Sequence, residues 1–544
     1  MVAYTSETFS DGERDVLRRY VTNLDGPVFA LVNLPEVVKG ALFARYSRSA
    51  KSLRRLFLDE FVDELDTSGD LGVDATMGLQ RAEQLYERIF GDYGDDSVAQ
   101  LGGVHLACEQ ASNVLTKVLE WGRLMSYLEQ STRYIPYDSR PASGHYRYHR
   151  DRDVLESPLG ARYVGDMDRM FDTYAELLPK VQAHVARRFP EDRSQVSPIA
   201  YRQSVRAKAL DALRGLLPAA ALSNVGVYGS GQAYEQLLLR MAGHPLPEVR
   251  EYGVLVHEEL VKVIPSFLTR LDRPERGGAW RDYLAGRRDE TTALVASLWP
   301  EDAVTPPRGE PGPGAASVRL TDFDPDGEDK VLTAICFPVS TASEEALARK
   351  VAELGPAERE ALVAAYVGER ANRRHKPGRA FERTGYRFEI VSDYGAFRDM
   401  QRHRMLTVEW QPLGTALGWT VPELVVEAGL EAPYVASLER SHGLHEALAE
   451  SFPAQAAYAV ALGFNLRYSL QLSAREAMHV CELRSGPQGH PSYRTIAQEM
   501  HRQIGAVAGH RAIAAAMRFV DYSPVDLGRL EAEQRLASAA GADR

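Results

Sequence analysis

Residues 300–316, PEDAVTPPRGEPGPGAA, are dominated by proline and glycine and carry no hydrophobic period, so no packed element can form across them. That stretch divides the 544-residue chain into two parts, each long enough for a core of its own. Features recur across the divide in the same order. The apolar run Leu332–Thr341 parallels Ala41–Ser49, both ending in Ser or Thr, and a helix expected to end at Arg402 mirrors one expected over Glu109–Glu120. Agreement in order and spacing reads as a tandem repeat. The expected division is a first repeat with a helical N-terminal extension over 1–299, a linker over 300–318, a second repeat over 319–530 and a polar tail over 531–544.

Hydrophobic content of 44% and charged content of 26% suit a soluble globular protein. The net charge of −11 argues against a general binder of nucleic acid or membrane surfaces, so local basic clusters call for local anions. Cys108, Cys336 and Cys481 stand singly, which fits neither a disulfide framework nor a cysteine-rich zinc site. With no signal pattern and no apolar run near ~18 residues, the expected location is cytoplasmic.

The densest polar motif is Trp121–Tyr134, WGRLMSYLEQSTRY. Ser131 and Arg133 suit a phosphate, which takes several donors and a forked guanidinium. Glu129 would repel a phosphate, so a ligand anionic at one end and polar at the other fits better; the plain alternative is a polar loop between helix and strand. This segment resembles the RHRxxSxNxxSxRY signature of flavin-dependent thymidylate synthases, without a gap. Arg123, Ser126, Glu129, Ser131, Arg133 and Tyr134 match it, whereas Trp121, Gly122 and Leu128 replace its leading arginine, histidine and asparagine. The missing half lies downstream. Arg402-His403-Arg404-Met405-Leu406-Thr407 resembles RHRxxS, and the match then fails at Glu409, Trp410, Pro412 and Gly414.

The resemblance extends to Arg214, placed before Leu217-Pro218 as in the family's nucleotide-holding segment, and to Asn465–Arg484. There Arg475 falls on a flavin-contacting arginine and Arg484 on the arginine that supports ionisation of the uracil ring. Nine residues separate them, two and a half helical turns, so they face opposite sides of a helix. In the first repeat Ser230-Gly231-Gln232 stands at the flavin-contacting position, Gly229-Ser230-Gly231 reads as a turn, and Arg240 lies within one residue of the uracil-contacting position.

The resemblance implies an α+β fold: two tandem repeats of a flavin-dependent thymidylate synthase-like fold, long helices packed on a small sheet. It implies methylation of dUMP at C5, with methylenetetrahydrofolate as carbon donor, FAD as the flavin and NADPH recharging it, in a homodimer of two-repeat chains. Flavin contacts are expected from Arg402, His403, Arg404, Thr407 and Arg475, and the uracil contact from Arg484. Arg123, Ser126, Glu129, Ser131, Arg133 and Arg214 are expected to hold the nucleotide. The alternatives are a catalytically reduced homologue that binds flavin or pyrimidine nucleotide, or an enzyme modifying a different pyrimidine nucleotide.

Elsewhere, Ser10 caps a helix starting near Glu13, and a basic helix is expected over 37–61 with Arg45, Arg48, Arg54 and Arg55 on a solvated face. Further helices are expected over 77–90, 160–189, 197–217, 356–370 and 502–519, with a loop over 67–74. His257-Glu258 and His445-Glu446 lack a second ligand one turn on, so a zinc-protease site is not supported.

Overall fold

The computed structural model describes residues 4–62, 102–141, 143–190, 198–299 and 316–524. The helix expected over 77–90, the loop over 67–74, residues 300–315 of the linker and the polar tail lie outside the described residues.

The fold is mixed α+β with two four-stranded antiparallel sheets. The first contains β1 (Val28–Leu31), β2 (Gly103–Ser112), β3 (Met125–Glu129) and β4 (Leu222–Ser230) in the order β1-β2-β4-β3. The second contains β5 (Ser317–Phe323), β6 (Gly385–Asp393), β7 (Leu406–Trp410) and β8 (Asn465–Ser473) in the order β5-β6-β8-β7. The chain thus runs through one strand order twice, which fits two repeats.

Each sheet ends two strands in capped helices. Ser112 accepts a hydrogen bond from Leu115 N at the start of Asn113–Leu119, and Asp393 does the same for Ala396 N at the start of Tyr394–Met400. Ser230 caps Gly231–Ala242 and Ser473 caps Ala474–Arg484, again by accepting from the backbone three residues on. These oxygens satisfy amide groups that the first helical turn leaves unpaired. Gly229-Ser230-Gly231, read above as a turn, is the junction where β4 passes into its helix.

Three further expectations need correction. Glu109–Glu120 is not one helix: β2 runs through Ser112, and the helix is Asn113–Leu119. Glu109 points into the core, where Oε1 accepts from Tyr46 Oη at 2.9 Å and Leu53 N at 2.8 Å. Residues 37–61 form two helices, Glu36–Tyr46 and Leu53–Glu60, and Arg54 is buried rather than solvated, its guanidinium 4.4 Å from the Phe29 ring centre and 3.4 Å from Glu109. The helix expected over 502–519 is instead the end of Pro491–Ala506 followed by Arg511–Ala516, separated at Gly509, whose φ of 74° breaks the helical run.

Other expectations fit well. The long helix spans Gly160–Arg188, Pro198–Leu213 follows, and Ser10 with Glu13 forms a capping box at Asp11–Leu17. Cys108, Cys336 and Cys481 are free thiols. Burial pushes Cys108 up to about 12, so it is no nucleophile. No helix among the described residues is long and apolar enough to cross a membrane.

The chain gathers into two compact units that interleave in sequence. The first comprises residues 1–172, 218–310 and 440–459; the second comprises 173–217, 311–439 and 460–544. In the first, Phe29, Leu42, Phe43, Tyr46, Leu56 and Phe57 pack into one apolar cluster. In the second, Phe388, Ile390, Phe397, Leu466 and Leu470 are buried around the sheet. Arg214 therefore belongs to the second unit, although its sequence lies within the first repeat.

Candidate active site

Three pieces of the second unit build its charged cluster. The helix Tyr394–Met400 brings Asp399, the following turn into β7 brings Arg402-His403-Arg404, and the helix Ala474–Arg484 brings Arg475, Glu476, His479 and Arg484. Residue 214, in the short 3-10 turn Arg214–Leu216, adds a fifth arginine.

Asp399 is the hub. Its carboxylate pairs with Arg402 through Oδ1, lies 3.5 Å from Arg484 Nη1 through the same oxygen, and meets Arg214 Nη1 at 3.6 Å through Oδ2. Arg214 also approaches Asp393 Oδ1 at 3.5 Å and is 4% exposed. Its Nε and Nη2 make no hydrogen bond, although Nη2 is the atom that faces Asp393. Gly395 permits the approach: a Cβ there would stand 2.9 Å from Arg214 Nε.

Arg484 is held from three sides. Nε donates to His403 Nε2 at 2.9 Å, Nη2 donates to the Asp399 carbonyl at 2.6 Å, and the guanidinium lies 5.5 Å from the Tyr493 ring centre. Burial lowers its pKa, though a guanidinium keeps its charge. Because His403 Nε2 accepts that bond, the imidazole proton sits on Nδ1, which lies 3.4 Å from Glu476 Oε1. Burial, then the Arg484 charge, holds His403 well below its ordinary range, so the ring is neutral. Burial also pushes Glu476 up to about 7, against the pull of Lys376, Arg475 and Arg404, and pushes His479 down to about 4.

Polar atoms of His403, Glu476 and His479 lie within 4.8 Å of one another, a spacing that a metal ion could bridge. The hydrogen bonding points elsewhere. A ring already accepting from Arg484 at Nε2 has its proton at Nδ1 and no lone pair there for a cation, and the surrounding charges are positive. These residues therefore read as a chain that fixes Arg484.

Arg475 leaves the opposite side of its helix, as the nine-residue spacing requires. Its Nε donates to the Pro377 carbonyl at 2.9 Å and Nη1 to Glu382 at 3.1 Å. Arg404 and Thr407 are exposed, Thr407 on the edge strand β7, and Arg402 is half-buried. His403, expected among the flavin contacts, is buried and turned to Arg484. Asp399, Glu476 and His479 were not singled out from sequence. The available signal was Glu476-x-x-His479, three residues apart and so on one helical face.

The first unit holds Arg123, Ser126, Glu129, Ser131 and Arg133. Arg123 and Ser126 are exposed, and Ser131 Oγ accepts from Arg133 N at 3.3 Å. Glu129 points inward, 3.6 Å from Lys117, which also pairs with Glu120 at 2.6 Å. Arg240 lies 5.6 Å from the Trp121 ring centre, with Nε and Nη2 making no hydrogen bond. Trp121 thus covers this arginine where, in the second unit, His403 accepts from Arg484.

The two sheets of matching strand order, with capped helices at matching strand ends, define a class. The chain belongs to the family described as thymidylate synthase complementing protein, whose model matches residues 41–266 and 319–509. It is similar to a "UPF0159 protein" of Chlamydia muridarum, 41% identical over 532 residues, covering 97% of this chain and 98% of the relative. A "UPF0159 protein" of Thermoplasma acidophilum is 32% identical over 530 residues, covering 92% and 99%. Among solved structures, a UMP/dUMP methylase PolB from Streptomyces cacaoi bound with 5-Br dUMP is 17% identical with a TM-score of 0.31, covering 38% of this chain and 99% of that one. Thymidylate synthase X from Helicobacter pylori with FAD and dUMP is 15% identical with a TM-score of 0.28, covering 38% and 100%.

Proposed function

We propose that the chain is a flavin-dependent nucleotide methyltransferase that methylates dUMP at C5, with methylenetetrahydrofolate as carbon donor, FAD as the flavin and NADPH as the source of reducing equivalents. Family membership and one observation support this reading. Arg484 is a half-buried cation fixed by His403 and Asp399, and Asp399 also pairs with Arg402 and Arg214.

A fixed, poorly solvated cation is suited to negative charge appearing on a uracil carbonyl, because it needs no reorganisation as that charge develops. His403 and Asp399 orient Arg484, and Glu476 keeps the His403 proton on Nδ1. The residues fit a flavin dinucleotide: Arg402, Arg404 and Arg475 are cations for a pyrophosphate, and Thr407 adds a hydroxyl on an exposed edge. When bound, reduced flavin supplies the hydride that turns the transferred carbon into a methyl group. In the first unit, Ser131 and Arg133 are proposed for a nucleotide phosphate, with Arg123 and Ser126, both exposed, as further nucleotide contacts; Glu129 is turned inward to Lys117.

The test is formation of dTMP from dUMP with methylenetetrahydrofolate, NADPH and FAD, for the parent chain and Arg484→Ala. Product from the parent and little from the variant supports the proposal. No product from a parent that binds both flavin and dUMP points to the reduced homologue, a reading that Trp121 over Arg240 favours.

A further inference from the structure

The helix Ala279–Leu298 in the first unit is 20 residues long and contains no buried residue. One side is anchored: Arg288 Nη1 donates to the Gly243 carbonyl at 2.6 Å, and Leu284 Cβ lies 3.4 Å from where a Cβ on Gly243 would stand. The adjoining side is open and apolar at both ends. Trp280, Tyr283, Leu294 and Leu298 are 48%, 57%, 59% and 56% exposed. A helix normally keeps its place by burying an apolar face, and contiguous exposed apolar surface marks an interaction site.

At about 100° per residue, these four side chains share one stripe with Arg287, Glu290 and Thr291. From N- to C-terminus the stripe reads Trp280 and Tyr283, then the cation Arg287, then the anion Glu290, then Leu294 and Leu298. Reversed end to end, it presents apolar, anion, cation, apolar. It is therefore complementary to its own antiparallel copy. Centred between Arg288 and Asp289, such a copy sets Tyr283 opposite Leu294 and Arg287 opposite Glu290, in both directions at once, with Trp280 and Leu298 one residue out of register at the two ends. The surface is already ordered: Trp280 and Tyr283 meet edge to face at 6.3 Å, and the Arg287 guanidinium lies 5.5 Å from the Tyr283 ring centre.

We propose that a second copy of this chain docks on this stripe, helix antiparallel to helix, about a two-fold axis between Arg288 and Asp289. Such an interface is isologous: each contact occurs twice. One helix pair buries less than the ~1,200 Å² of standard interfaces, so the association is weak and concentration-dependent. The inference is independent of the reaction proposed above.

The test is sedimentation of the full chain across a micromolar concentration range, for the parent, Arg287→Glu, Glu290→Arg, the double exchange and Leu294→Glu. The parent reaches twice the chain mass as concentration rises. Each single charge reversal places like charges opposite each other and weakens association by roughly tenfold or more, and the double exchange restores it. Leu294→Glu abolishes it. All three side chains are exposed, so thermal melting of the variants should match the parent. A parent that stays monomeric throughout overturns the proposal and leaves the stripe to another partner. A dimer indifferent to these substitutions overturns it equally, because association then uses a different surface.

Discussion

Arg484 Nε donates to His403 Nε2 at 2.9 Å, so the ring expected among the flavin contacts holds a cation in position. His403→Phe keeps the volume and removes the acceptor. Losing one hydrogen bond to a charged group costs about 1.5–3 kcal/mol, so turnover should fall roughly ten- to 150-fold, with dUMP affinity less affected because the charge itself remains. Steady-state kinetics beside titration calorimetry separates the two effects. Equal losses in affinity and turnover would show that His403 touches ligand directly.

Glu476 gives the protein a pH signature. Its carboxyl is pushed up to about 7, whereas in an unfolded chain it titrates near ~4.3. Between those values the folded state binds more protons than the unfolded one, so this group's contribution to stability falls as pH rises through that window. His479, pushed down to about 4, acts in the opposite sense between about 4 and ~6.5. Comparison with Glu476→Gln isolates the carboxyl. The variant should melt close to the parent at pH 5 and above it at pH 8, and a constant difference across that range would contradict the assignment.

Lys117 faces Glu120 at 2.6 Å and Glu129 at 3.6 Å in the interior of the first unit. Lys117→Met removes the cation and leaves both carboxylates buried, which should cost about 3–5 kcal/mol of stability. Urea unfolding measures it. A change below about 1 kcal/mol would mean that water reaches these carboxylates.

Arg133→Ala tests the proposed phosphate contact of the first unit. dUMP affinity should drop by roughly ten- to 150-fold while flavin occupancy stays at the parent's level. Unchanged dUMP binding returns Ser131–Arg133 to a structural loop.

What could be read from the sequence was local. The opposite facing of Arg475 and Arg484 on one helix and the long helix from Gly160 follow from spacing and periodicity. The errors arose where distant packing outweighs local preference. Gly229-Ser230-Gly231 looks like a turn, yet Gly229 belongs to β4, which pairs on both sides, and a Cβ at Gly229 would meet Met125 at 2.8 Å. Glu109 resembles an exposed helical residue until Tyr46, Leu53 and Arg54 close around it. Arg214 looked like a residue of the first repeat's site because of its motif, and only the interleaving of the two units places it beside Asp399. Such pairings depend on the path of the whole chain, which no local spacing encodes.

The central claim is that the arginines of the second unit serve a flavin nucleotide, and flavin absorbance of the purified chain after incubation with excess FAD tests it most directly. The parent should retain bound FAD through gel filtration, and the Arg402→Ala, Arg404→Ala double variant should lose it while melting as a folded protein. A parent that emerges without flavin absorbance, or a double variant that retains it at parental occupancy, contradicts the account.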